Sequence, residues 1–169
     1  TMGIVVAVIG SHKKENNPSV ADNQNNETTA QPTTEEETTT KVPTIEVDLM
    51  MIGDMLMHEG VVKSGLMDDG TYNFDHLYTN IAKDISSADI KIVNQETILG
   101  GSDFAYTGYP TFNSPWALGD AEVNAGFNII LHATNHTLDT GLKGVENCLS
   151  FWKTYHPDTT FPFINDTEE

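Results

Sequence analysis

The chain has 169 residues, 38% of them hydrophobic and 8% aromatic, with 25 acidic against 8 basic side chains and a formal net charge of -17. That length sustains one core of ordinary size rather than two large ones. The charge excludes nucleic acid and anionic membrane surfaces as partners, because both would repel the chain, whereas divalent cations are attracted to it.

The first fourteen residues hold an apolar run, Met2 to Ile9, followed by Ser11, His12, Lys13 and Lys14. The run is far shorter than the roughly 20 residues that cross a bilayer, so residues 1–14 read as the end of a clipped signal anchor or signal peptide. Residues 15–44, rich in Asn, Thr, Glu and Pro, contain almost no large apolar side chain. Such a segment cannot bury enough surface to offset its ordering entropy and is expected to be a disordered spacer. Anchor, spacer and folded domain in that order predict a domain tethered on the extracellular face of the cell membrane. The single cysteine, Cys148, rules out an intrachain disulfide and a thiolate cluster, and its place on an amphipathic stretch with Leu149 and Trp152 predicts a small core residue.

From residue 45 the pattern alternates. "IEVDLMMIG" (45–53) reads as a strand stopped by Gly53, and "YNFDHLYTNIAKDISSA" (72–88) places Phe74, Leu77, Tyr78, Ile81, Ala82 and Ile85 on one helical face. "DIKIVN" (89–94) is a second strand. "SPWALGDAEVNAG" (114–126) predicts a short helix with Ser114 as N-cap, Pro115 at its first position and Gly126 as its stop. "FNIILHA" (127–133) is a third strand, a helix follows over about 142–155, and "TTFPFIN" is a possible fourth strand. Strand and helix in alternation predict an α/β fold with a parallel sheet.

In such a sheet the loops after successive strands open on one edge. Asp54 ends the first strand, Asn94 and Glu96 the second, and Asn135, His136 and Asp139 follow the third. Asp54, Glu96 and Asp139 share these loops with no Lys or Arg, since Lys91 lies on a strand and Lys143 a turn into a helix. Clustered carboxylates either raise one another's pKa or recruit a cation. Carboxylate, amide and imidazole donors without thiolate suit Mg, Mn, Fe or Zn, as one ion or two. Each residue also has a plainer role, the Gly-Asp as a turn, the Asn residues as Asx-turns, His136 as a loop histidine. The loop "LGGSDFAYTG" has no phosphate-loop spacing and no Lys, and no GxSxG elbow occurs; with "GYPTFNSP" it reads as a substrate-facing lid or a long connection.

The stretches "MMIGDMLMHEG", "ADIKIVNQETILGG" and "YPTFNSPWALGDAEVNAGFNIILHATNHTLDTGLKGVENCL" together resemble the bacterial CapA family of poly-gamma-glutamate capsule synthesis proteins, from about Val47 to the chain end. The resemblance implies a calcineurin-like, metallophosphatase-type sandwich, of which residues 45–169 would be the N-terminal part. It implies that Asp54, Asn94, Glu96 and Asn135 are metal ligands, and that His136, beside Asp139, faces the substrate and serves the leaving oxygen. The usual Asp-x-His after the first strand is absent: position 56 is Leu, and His58 is the nearest candidate to replace that ligand. The expected activity is metal-assisted hydrolysis or transfer on an anionic capsule polymer or another cell-envelope substrate. Two alternatives remain: a non-catalytic polymer-binding or export component working with other membrane capsule synthesis proteins, and a generic metallophosphoesterase.

Overall fold

The computed structural model describes residues 44–162 and the backbone of Val6 and Ala7. The expected signal end (1–14, apart from that residue pair), the spacer up to Pro43 and the last residues of the possible fourth strand lie outside the described residues. Val6–Ala7 and the described chain from Val47 onward belong to one compact unit.

Strand β1 (Val6–Ala7) runs antiparallel along β2 (Leu49–Asp54), and β2 pairs in parallel with β3 (Ile90–Asn94), which pairs in parallel with β4 (Ile129–Leu131). Between and after the strands come α1 (Glu59–Ser64), a 3-10 turn (Asp75–Leu77), α2 (Ala82–Ser87), α3 (Trp116–Ala125) and α4 (Gly141–Tyr155). This is the expected α/β alternation, with a three-stranded parallel sheet consistent with part of a metallophosphatase-like fold. No helix among the described residues is long and apolar enough to cross a membrane.

Several elements differ from the sequence expectation for local reasons. The helix expected over 72–88 is broken: the chain turns at Thr79 and Asn80, both poor helix formers, between the 3-10 turn and α2. Its apolar stripe survives the break, with Phe74, Tyr78 and Ile85 buried and Leu77 and Ile81 packed against them, while Ala82 is exposed. Ser114 does not cap α3. Its hydroxyl is 2.7 Å from Thr97 Oγ1 in the interior, and extended Pro115 precedes the first helical residue instead. Gly126 does stop α3, at φ 105°, a conformation open to glycine at little cost. After β4 the chain returns beside it: Ile130 N donates to Thr160 O (2.8 Å) and His132 N to Pro162 O (3.0 Å), so the start of "TTFPFIN" continues the sheet.

By register, Met50, Ile52, Val93 and Ile130 point to one face of the sheet. They are buried with Leu118, Ala121, Cys148, Phe151 and Trp152 of α3 and α4. Each such buried aliphatic or aromatic side chain contributes about 1.5–3 kcal/mol. The opposite face carries Leu49, Met51, Ile90, Ile92, Ile129 and Leu131; Leu49 and Met51 are exposed and the rest half-buried. Among the described residues the sheet thus has one face packed in the core cluster and one apolar face outside it. The polar ends of the strands project beyond both.

Candidate functional site

Three strand ends build the site. At the end of β2 the pairing skips Gly53: Ile52 lies opposite Val93, and Asp54 opposite Asn94. This one-residue bulge re-aims the side chain that follows it, and Asp54 Oδ1 accepts a 2.6 Å hydrogen bond from Asn94 Nδ2. Asn94 therefore presents its N–H to the carboxylate. Met55 N donates to Asn94 O (2.8 Å) and Gln95 N to Leu131 O (2.9 Å), which fixes the chain on both sides as it leaves the sheet.

Glu96, two residues past β3, is half-buried. Burial holds its carboxyl above the usual carboxylate range, the negative charge of Asp54 raises it further, and His136 and His58 act in the opposite sense. Its backbone is tied to the third loop, because Thr134 Oγ1 donates to Glu96 O (2.7 Å) and in turn accepts from His136 N (3.1 Å). Thr134 thus makes the turn that swings His136 back toward β3.

His136 is held at both ends. Its Nδ1 lies 2.8 Å from Asp139 Oδ2 and its Nε2 lies 4.0 Å from Glu96 Oε1. Asp139 Oδ2 also accepts the backbone N–H of Phe112 at 2.7 Å. An ionised carboxylate oxygen that accepts one bond and faces a second nitrogen requires a donor there, which places the imidazole proton on Nδ1 and directs Nε2 toward Glu96. This is the arrangement that orients a histidine for proton exchange at its far nitrogen.

The structure therefore brings together Asp54, Asn94, Glu96, His136 and Asp139. His58 is half-buried at the start of α1, close enough to influence Glu96 and in edge contact with the Phe112 ring, with centroids 5.4 Å apart. Asn135 is exposed at the turn, and no hydrogen bond among the described residues ties it to the cluster. The lysine ion pairs that the described residues form, Lys63 with Glu59 and Lys143 with Glu146, involve neither Asp54 nor Glu96, whose basic neighbours are histidines. The donors have the chemistry of a hard or borderline cation site, two carboxylates with amides and imidazoles. Yet among the described residues no three of His, Cys, Asp and Glu stand close enough to enclose an ion.

Two contributors have no role assigned to them from the sequence, although Thr134 stands beside Asn135 and His136 at the third strand's end. Thr134 carries a usable signal, a Thr two residues before a loop histidine, which is a common side-chain turn. Phe112 carries none, being one aromatic in a long polar loop; its ring lies 4.6 Å, centroid to centroid, from that of His136. Residues 48–160 match the sequence family described as bacterial capsule synthesis protein PGA_cap. No curated protein matches the chain.

Proposed function

The chain belongs to the bacterial capsule synthesis protein PGA_cap family, and from that premise we propose that its strand-end cluster is a cation-assisted hydrolase- or transferase-like site acting on an anionic capsule polymer of the polyglutamate type or a related cell-envelope substrate. The observation that carries this reading is the pair Asp54 and Glu96: burial and then the charge of Asp54 raise the Glu96 carboxyl, and among the described residues no lysine or arginine is paired to either. A divalent cation relieves that repulsion and lets a polyanion approach a chain of net charge -17.

Asp54 and Glu96 would hold the cation, with the amide oxygen of Asn94 as a further donor; His58 and Asn135, expected as ligands, are not gathered with them and would join only by moving toward the strand ends. Bound Mn, Fe, Zn or Mg, as one ion or two, supplies Lewis-acid polarisation of a carbonyl or phosphoryl oxygen and a more acidic water. His136 contributes the proton chemistry: Asp139 steadies it when both ring nitrogens are protonated, and Nε2 then donates to the leaving oxygen. The composition of residues 15–44, rich in Asn, Thr, Glu and Pro, supports a tethered domain on the extracellular face of the membrane, where such polymer is assembled.

A non-catalytic reading, in which the edge holds polymer through a bridging cation beside other membrane capsule synthesis proteins, is favoured by one observation: fewer than three ionisable ligands converge among the described residues. Incubation with poly-gamma-glutamate and Mn2+, followed by chain-length analysis, separates the two. The catalytic reading predicts shortened or transferred polymer, lost in Glu96→Ala and His136→Ala with circular dichroism unchanged. Unaltered polymer that binds in a Glu96-dependent way selects the binding reading, and neither turnover nor Glu96-dependent binding refutes both.

A further inference from the structure

Between Gly101 and Ser114 the chain forms a strap beside the site, and its far part is a hairpin. Thr107 and Asn113 exchange both backbone hydrogen bonds at 3.1 Å, and Thr107 Oγ1 donates to Thr111 O at 2.6 Å. The strap is anchored rather than loose: the Asn113 amide donates to Gly101 O at 3.0 Å and reaches Phe104 O and Ala105 O at 3.3 Å. At Gly108 it abuts the start of α1 so closely that an added Cβ would lie 2.7 Å from Glu59 N. The hairpin is therefore braced against the segment that carries His58.

One residue of this hairpin turns inward. Phe112 is 1% exposed, although it lies in a loop with exposed neighbours at Tyr109, Pro110 and Thr111. Its ring meets two imidazoles edge to face, His58 at 5.4 Å and 69° and His136 at 4.6 Å and 72°. Its backbone N–H occupies Asp139 Oδ2, the same oxygen that His136 Nδ1 faces. Aromatic pairs of this geometry are directional, so a ring wedged between two imidazoles fixes the plane of each. The N–H to carboxylate bond fixes the third partner.

We propose that Phe112 is a positioning residue of the site, its ring holding His58 and His136 in their planes and its N–H holding Asp139, so that the 107–113 hairpin sets the direction in which His136 Nε2 points. The proposal rests on the reading of His136 as the proton-exchanging group. Its test uses no cation and no substrate, and therefore stands or falls apart from cation binding and turnover.

The experiment is long-range 1H–15N correlation of the histidine rings in the full chain, comparing wild type with Phe112→Ala, Phe112→Leu and Phe112→Tyr. In wild type the His136 nitrogens should show one tautomer, protonated at Nδ1. Loss of that signature in Phe112→Ala and Phe112→Leu, replaced by averaged nitrogen signals, is expected, with its return in Phe112→Tyr. The signals of Trp152 and Ile130 report whether the core stays folded. If the alanine variant unfolds, the leucine variant, which keeps apolar volume but no ring edge, carries the decision. A His136 that keeps the single Nδ1-protonated signature in folded Phe112→Leu overturns the proposal.

Discussion

Glu122 is the clearest liability in the core. It sits on α3, fully buried, and neither carboxyl oxygen has a hydrogen-bond partner among the described residues. Burial pushes its carboxyl well above the usual range. A buried polar group without a partner costs about 1–3 kcal/mol, so Glu122→Met, of similar length and apolar, should stabilise the domain by about that amount at pH 4, where the carboxyl is neutral in both states, and by more at neutral pH. The melting temperature should rise by roughly 4 °C per kcal/mol for a domain of this size. The pH dependence follows from the sign of the shift. With the folded-state pKa above the unfolded one, stability is complete below about pH 4.5 and falls as pH rises above it, at about 1.4 kcal/mol per pH unit until the folded-state pKa is passed. Urea unfolding followed by the fluorescence of Trp116 and Trp152 between pH 4 and 8 gives the difference curve. The gain in Glu122→Met should be smallest at pH 4 and grow with pH, and Glu122→Gln should remove the slope as well. A methionine variant less stable than wild type, together with a glutamine variant that keeps the wild-type slope, would refute the reasoning.

His132 has the opposite sign. Buried at the end of β4 with Trp152 Nε1 donating to its Nε2 at 2.8 Å, it is held neutral, its pKa pushed down by burial to about 3. The unfolded chain takes up a proton near pH 6.5 that the folded chain refuses, so stability should fall progressively from pH 6.5 toward 3, and His132→Gln should flatten that limb in the same urea series. Cys148, buried and pushed up to about 12, should resist a thiol reagent in the native protein and react at the rate of unfolding; fast labelling without denaturant contradicts its burial. Burial predicts unequal costs on one strand: Ile52→Ala, at a side chain 2% exposed, should lose about 2–5 kcal/mol in urea, whereas Met51→Ala, at one 41% exposed, should lose under about 1 kcal/mol. Equal losses would mean that both faces are packed.

The alternation of strand and helix was readable because each element carries its own period, and the polar residues closing β2, β3 and β4 fall on one edge through parallel pairing alone. What the sequence hid was set by tertiary partners. Ser114 is a plausible cap in isolation, but the interior offers its hydroxyl Thr97 Oγ1 instead. The break at Thr79 and Asn80 leaves the apolar spacing intact, so periodicity cannot reveal it. Gly53 looks like a strand terminator, yet it is the extra residue of a bulge that sets Asp54 opposite Asn94. Asp139 was legible as a neighbour of His136, three residues apart, whereas Phe112 reaches the pair from 27 residues away along the chain from Asp139, with no local pattern to announce it.

The central claim is that Asp54 and Glu96, with His136 beside them, form one cation site rather than part of a diffuse acidic surface. Paramagnetic broadening by Mn2+ decides it most directly, in enough NaCl to screen the net charge of -17 to within about 10 Å. Substoichiometric Mn2+ should first broaden the resonances of Asp54, Asn94, Glu96 and His136, leave exposed acidic positions such as Asp68 and Asp69 sharp, and lose that selectivity in Asp54→Ala and Glu96→Ala. Broadening spread evenly over the acidic residues and unchanged in either variant would contradict the account.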